Sequence, residues 1–149
     1  MAARNKKSKK QSATRSGPLE DVTFFIDASL GRKIVAEALR RAGAKVEVHD
    51  DHFPQGTPDK EWLAAAGQRC WAVLTKDDRI RYHDLERLAL TNARVRAFVL
   101  TARGLRGEEN AGILVNALPA IHRMLSKRPG PFIAKISRGG AVSLLIRGN

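Results

Sequence analysis

Val22-Thr23-Phe24-Phe25-Ile26-Asp27 is a run of β-branched and aromatic residues that stops at a carboxylate. A run of this kind reads as a strand, and the residues on its C-terminal side read as a helix. From Arg32 to Ala42 the apolar positions Ile34, Val35, Ala38, Leu39 and Ala42 recur at helical spacing, and Gly43 suits the left-handed position that ends a helix. Lys45 to His49 then predicts a second strand. The loop from Asp50 to Gly56 leads to Thr57-Pro58-Asp59, a cap candidate before a proline at the first helical position, and predicts a helix to about Ala66. Cys70 to Thr75 predicts a third strand, Tyr82 to Leu90 a helix, and Val95 to Leu100 a fourth strand.

A longer helix is expected from Glu108 to Lys127, where Leu114, Ala117, Leu118, Ile121 and Leu125 form one stripe. Pro119 lies inside it and is expected to kink or divide it, because proline removes a backbone donor. Phe132 to Ser137 and Ala141 to Ile146 flank Arg138-Gly139-Gly140, which predicts a C-terminal β-hairpin over about residues 131–147. Strands alternating with helices define an α/β domain with a mainly parallel sheet and helices on both faces.

The chain has 149 residues, room for one domain, which is taken as 19–149 behind a basic tail of residues 1–18. It is 43% hydrophobic and 28% charged, the balance of a soluble globular protein, and at 5% aromatic the core is expected to be aliphatic. The single cysteine, Cys70, excludes an internal disulfide and a multi-cysteine zinc site, and its place beside Trp71, Ala72 and Val73 predicts a buried thiol. No run approaches the length of a membrane span, and no apolar segment follows the basic N-terminus as a signal peptide would require, so a cytoplasmic protein is expected.

Lys and Arg outnumber Asp and Glu by 27 to 15, a formal charge of +12 that favours polyanionic partners such as nucleic acid. Arg4, Lys6, Lys7, Lys9, Lys10 and Arg15 crowd the first 18 residues with no acid among them. That segment has no apolar periodicity and reads as a tail, either simply solvated or attracted to RNA.

In an open α/β sheet, ligands collect beyond the carboxyl ends of the strands, where strand order reverses. Asp27 ends the first strand and Asp77 with Asp78 follows the third, so neighbouring strands would bring these carboxylates to one edge. Asp59 at the start of a helix could join them, although a helix N-terminus favours an acid for structural reasons as well. Each aspartate alone also suits a cap or turn. Taken together they would repel one another unless a hard divalent cation, Mg2+ or Mn2+, neutralised them.

Other candidates carry less. His49 and His52 flank Asp50 and Asp51 without further ligands, and solvated loop residues are the expected reading. Arg103-Gly104-Leu105-Arg106-Gly107, ahead of a helix, could present amides and the Arg103 and Arg106 guanidinium groups to a phosphate, yet it lacks the Gly-Lys-Ser/Thr ending of a nucleotide-binding loop. Ser29 has no His and acid partners at the spacing of a serine hydrolase.

The pieces Phe24-Phe25-Ile26-Asp27, Ala38-Leu39-Arg40-Arg41-Ala42-Gly43, the following strand with Val46 and His49, Pro58-Asp59-Lys60-Glu61-Trp62-Leu63 and Val73-Leu74-Thr75-Lys76-Asp77-Asp78 together resemble the PIN-like domains, in particular the branch that includes VapC-type toxins. The resemblance covers about residues 22–127. It implies a three-layer α/β fold, acids clustered at the sheet edge, divalent metal binding, ribonuclease activity and, for such toxins, a cognate antitoxin that blocks the site.

Asp27 matches the family's first-strand aspartate, and Asp77 the aspartate after the Leu-Thr-x motif, with Asp78 as an adjacent acid. Asp59 corresponds to the acid at the start of the second helix, where many PIN domains place a Glu further along. Glu61 is the fallback, but it lies roughly 200° round the helix from Asp59, so the two would not serve one metal together.

The implied site is therefore Asp27, Asp59 and Asp77 on Mg2+ or Mn2+, acting on RNA. Thr75 and Lys76 are placed to hydrogen-bond ligands or phosphate, and Lys76 reads equally well as a solvated charge. The other readings are a nucleic-acid-binding module on the same fold without catalysis, and an interaction protein that docks on RNA through its tail. The oligomeric state, including a homo-oligomer, stays open.

Overall fold

The computed structural model describes residues 22–147, so the expected tail over residues 1–18 lies outside it. Six strands form one sheet: β1 (Thr23–Ile26), β2 (Lys45–Val48), β3 (Ala72–Thr75), β4 (Arg96–Leu100), β5 (Phe132–Ile136) and β6 (Val142–Arg147). Their order is β2-β1-β3-β4-β5-β6. All neighbours are parallel except β5 and β6, which make the expected antiparallel hairpin.

Side chains alternate across the sheet with period two, and this builds three layers. Phe24 and Ile26 of β1, Leu74 of β3 and Phe98 and Leu100 of β4 enter one core, together with Val35 and Leu39 of α1 (Ile34–Arg41) and Leu114, Ala117 and Ile121 of α6 (Gly107–Lys127). Phe25, Val73, Ala97 and Val99 enter the other, against Trp62, Leu63 and Ala66 of α3 (Asp59–Gln68) and Leu90 of α5 (Asp84–Ala93). Short helices α2 (His49–His52) and α4 (Arg79–Tyr82) complete the set. The core is aliphatic by number, but Phe24, Phe25, Phe98 and Phe132 are its largest fully buried side chains, so the expectation of an aliphatic core holds only in part.

Local differences from expectation have physical causes. The second strand stops at Val48, and His49 starts a helical turn instead of lying in a solvated loop. Its ring is buried among Phe25, Phe53 and Trp62. The hydroxyl of Thr57 donates to the carbonyl of Pro54 at 2.6 Å, so it does not cap α3. The helix expected from Tyr82 to Leu90 is α5, which starts at Asp84; Tyr82 instead ends the separate turn α4, and the extended backbone of His83 lies between them.

Cys70 is exposed, which corrects the expected buried thiol. It occupies a left-handed turn (φ 57°) between α3 and β3, where its side chain leaves the strand pattern. Pro119 sits within α6 without dividing it, because the stripe around it is buried against the sheet and α1. Among the described residues no helix is long and apolar enough to cross a membrane.

Candidate active site at the strand carboxyl ends

From β1 the chain passes first to β2 on one side and then to β3 on the other, so strand order reverses between β1 and β3. A crevice at the carboxyl ends of these strands is the ligand position of open α/β sheets. The backbone N–H of Asp27 donates to the carbonyl of Leu74 at 3.2 Å, which fixes the end of β1 against the end of β3. This contact brings Asp27 beside Thr75, Lys76 and Asp77.

Asp27 is buried and hydrogen-bonded on both carboxylate oxygens. Its Oδ1 accepts from the backbone N–H of Ser29 at 3.0 Å and from the Ser29 hydroxyl. Its Oδ2 accepts from Oγ1 of Thr75 at 2.6 Å. Asp27 thus caps the 3-10 turn Ala28–Leu30, so the structural role foreseen for a strand-end aspartate is real and sits within the site. Burial pushes its carboxyl pKa up; hydrogen bonds from Ser29 and Thr75 oppose this, the Asp77 charge reinforces it, and the net shift is upward.

Thr75 is fully buried and already committed. It donates to Asp27 and accepts from the backbone N–H of Asp77 at 2.9 Å, so its hydroxyl ties the two aspartates together, in line with the first of its expected roles. Ser29 is the residue that sequence reasoning passed over. Its Oγ lies 3.1 Å from Oγ1 of Thr75 and accepts the Lys76 N–H at 2.8 Å. The signal available was the Asp-x-Ser spacing, a turn in which an aspartate accepts from the backbone two residues on.

Asp77 is bound by Arg79 on both oxygens. Nε lies 3.1 Å from Oδ1 and 2.9 Å from Oδ2, Nη2 lies 2.6 Å from Oδ2, and the Arg79 backbone N–H donates to Oδ1 at 3.0 Å. Burial alone would raise the Asp77 pKa, but the hydrogen bonds and charge of Arg79 outweigh it, and the net shift is downward. The same Nη2 lies 3.7 Å from Oδ2 of Asp59, whose Oδ1 accepts from Nε1 of Trp62 at 2.9 Å. Asp59 therefore meets Asp77 across a guanidinium.

Asp78 pairs with Nη2 of Arg103 and Nη1 of Arg81, the latter at 3.5 Å. Its Oδ1 is buried and makes no hydrogen bond. Arg106 pairs with Glu109 at 3.8 Å, and Glu61 is exposed on α3. Nζ of Lys76 lies 3.3 Å from Oδ1 of Asn110, a buried residue of α6 absent from the sequence-based site. His52 pairs with Glu47 at 2.7 Å and His49 packs on aromatic rings. Among the described residues no group of three or more His, Cys, Asp or Glu is placed to hold a metal ion.

A three-layer α/β domain with carboxylates gathered at the switch point of a mainly parallel sheet is the class of protein that fold and site define. Residues 22–102, from the start of β1 to just past β4, match the family described as "PIN like domain". The chain is also 30% identical over 126 residues to a protein of Mycobacterium tuberculosis (strain ATCC 25618 / H37Rv) named "Putative ribonuclease VapC45", a match that spans 82% of this chain and 91% of that one. No solved structure matches it. The chain belongs to the PIN-like domain family.

Proposed function

We propose that this protein is a ribonuclease that hydrolyses RNA phosphodiester bonds with Mg2+ or Mn2+, and that it is the toxin of a toxin–antitoxin pair. The observation that carries the reading is the placement of Asp27 and Asp77 side by side at the switch point, in a chain whose formal charge is +12. Carboxylates at that point would repel the phosphates a pure binder seeks, whereas a metal nuclease needs them. The relative's name adds support.

The donor set suits a hard cation. Mg2+ is commonly held by one or two carboxylates and completes its shell with water and substrate phosphate, so Asp27 and Asp77 suffice, with Asp59 as a third candidate beyond Arg79. When bound, the ion would supply a water of lowered pKa and charge stabilisation at the scissile phosphate. Ser29 and Thr75 orient Asp27 through hydrogen bonds, and Thr75 also fixes the backbone of Asp77. Arg103 and Lys76 supply positive charge beside the acids for the incoming strand, Arg103 from its pair with Asp78 and Lys76 from its contact with Asn110. Exposed Leu85 and Leu88 line a cleft with Asp59, and apolar side chains at the edge of an acidic crevice suit a protein partner such as an antitoxin.

A second reading, an RNA-binding module without catalysis, is favoured by one observation: Arg79 already neutralises Asp77 and reaches Asp59. One experiment separates the two. Purified protein is incubated with RNA and Mn2+ alongside Asp27→Asn and Asp77→Asn, and the same three chains are expressed in a growth assay. Cleavage and slowed growth that both substitutions abolish are the expected result; RNA binding without cleavage supports the second reading.

A further inference from the structure

The edge of the sheet opposite the carboxylates holds a cleft of about 520 Å3 lined by Arg94, Arg96, Lys127 and Arg128, with Cys70 and Trp71. Cys70 and Trp71 lead into β3, Arg94 and Arg96 stand at the start of β4, and Lys127 and Arg128 end α6. Because β3 and β4 are parallel, their amino ends share this edge, a strand's length away from Asp27 and Asp77. No Asp or Glu lines the cleft. Among the described residues none of the four cations has an ion-pair partner.

Cations at helix ends have a bland explanation, since they complement the negative end of the helix dipole. That explanation fits Lys127 but leaves two features over. Helix α1 closes with Gly43 in the left-handed region at φ 98°, the usual residue for that turn. Helices α3 and α5 close with the same backbone twist, yet the residues there are Cys70 (φ 57°) and Arg94 (φ 61°), the only non-glycine residues with positive φ among those described. Both line this cleft. The chain accepts a disfavoured conformation where glycine would be free of strain, and what it gains is a side chain in this place.

The second feature is the guanidinium groups themselves. Arg94 spends one donor on the carbonyl of Gly130 at 3.1 Å, and Arg96 one on the carbonyl of Cys70 at 2.9 Å. Each group is thereby fixed, while its other N–H donors have no protein acceptor among the described residues. Burial pulls the Arg96 pKa down, a cost that an anion in the cleft would offset.

We propose that this cleft is a second RNA contact, in which Arg94, Arg96, Lys127 and Arg128 hold backbone phosphates on the side of the domain away from the carboxylates. Guanidinium groups held in place with spare donors are suited to phosphate oxygens. The proposal rests on the reading of the chain as an RNA-acting protein and adds to it that the RNA is long enough, or folded enough, to reach both ends of the sheet.

Cys70 is the only cysteine and is exposed in the cleft, so it reports on occupancy without any mutation. The full chain is alkylated with iodoacetamide in the presence and absence of mixed-sequence single-stranded RNA, with magnesium withheld. RNA is expected to slow alkylation several-fold and to lose that effect at high salt. Lys127→Gln combined with Arg128→Gln, both outside the buried core, is expected to reduce the protection and to lower the slope of log affinity against log salt by about 1.4.

RNA bound at full affinity with Cys70 alkylated at its free rate overturns the proposal, as does equal protection by inorganic phosphate, which would point to a small phosphate ligand. If the double variant does not fold, protection in the unmutated chain decides alone. Protection of Cys70 by an RNA that Mn2+ does not cause to be cut upholds the cleft and removes the ribonuclease reading. Cleavage with Cys70 unprotected does the reverse, and absence of any RNA binding overturns both.

Discussion

The guanidinium of Arg79 grips both carboxylate oxygens of Asp77, with Nη2 2.6 Å from Oδ2, so neither oxygen is left without a cationic partner. It acts as a built-in counter-cation, and it extends to Asp59 at 3.7 Å. More than half of the Arg79 side chain is exposed, which leaves it room to swing out. Arg79→Gln is therefore expected to tighten Mn2+ binding, by roughly tenfold if the ion must displace the guanidinium, since that corresponds to about 1.4 kcal/mol. Titration calorimetry without RNA reads this directly. Unchanged or weakened Mn2+ binding would mean that Asp77 is not a ligand and that the pair with Arg79 is its working state.

The same pair has a signature in pH. The folded-state pKa of Asp77 is depressed, so its contribution to stability is present above the unfolded pKa and is lost as pH falls through the folded value. Arg79→Gln should remove part of that contribution at neutral pH, by no more than about 1 kcal/mol because the guanidinium end of the pair is open to solvent. Its melting temperature should converge on that of the unmutated chain in acid.

Asp27 has the opposite sign. Its folded-state pKa is raised, so the protonated form favours folding below the unfolded pKa, and that benefit is lost as pH rises through the folded value. Asp27→Asn should abolish cleavage yet raise the metal-free melting temperature at neutral pH, with a gain on the order of 1 kcal/mol that fades on acidification. A neutral-pH loss of stability would show that the Ser29 and Thr75 hydrogen bonds need a full carboxylate.

How much of this was legible follows from the range of the forces. Phe24-Phe25-Ile26-Asp27 and Val73-Leu74-Thr75 announce strands through their own composition, and the turn residues around them punctuate the fold, so element order and the strand-end aspartates could be read directly. The 3-10 cap by Asp27 is equally local. Thr75 and Asp27, by contrast, lie 48 positions apart and meet only because β1 and β3 are neighbours in register. Arg79 is two residues from Asp77, yet its reach to Asp59 depends on where α3 starts relative to α4. His49 looked like a loop residue because nothing local shows that Phe25, Phe53 and Trp62 converge on it. Cys70 sits in an apolar run, but the left-handed turn that closes α3 carries it out to solvent.

Thr75 supports two predictions at once, because its hydroxyl donates to Asp27 and accepts from the Asp77 N–H. Thr75→Val keeps the shape and removes both bonds, leaving the buried Asp27 carboxylate and the part-buried Asp77 N–H short of a partner at a cost of about 1–3 kcal/mol. Loss of a donor to the carboxylate should also raise the Asp27 pKa further, so the acid limb of the pH–rate profile should move to higher pH. Thr75→Ser restores the hydroxyl and should restore the profile even if some stability stays lost with the methyl group. A Val variant with an unshifted profile would remove Thr75 from the positioning of Asp27.

Residues 1–18 carry six cations and no acid, and deleting them should weaken RNA binding without touching chemistry. Phosphate neutralisation is blind to base identity, and each neutralised phosphate on a single strand adds roughly 0.7 to the salt slope, so a chain starting at Leu19 should lose about 4 units if all six engage. The measurement is RNA affinity across a salt series with magnesium withheld. Because the tail charges and the Arg94–Arg128 cleft act on separate phosphates, the slope lost on deletion and the slope lost in Lys127→Gln with Arg128→Gln should add. Turnover at saturating RNA should be nearly equal with and without the tail, since the deleted segment holds no carboxylate. Equal salt slopes would make the tail a bystander, and a collapse of turnover at saturation would mean that it reaches the carboxylate crevice.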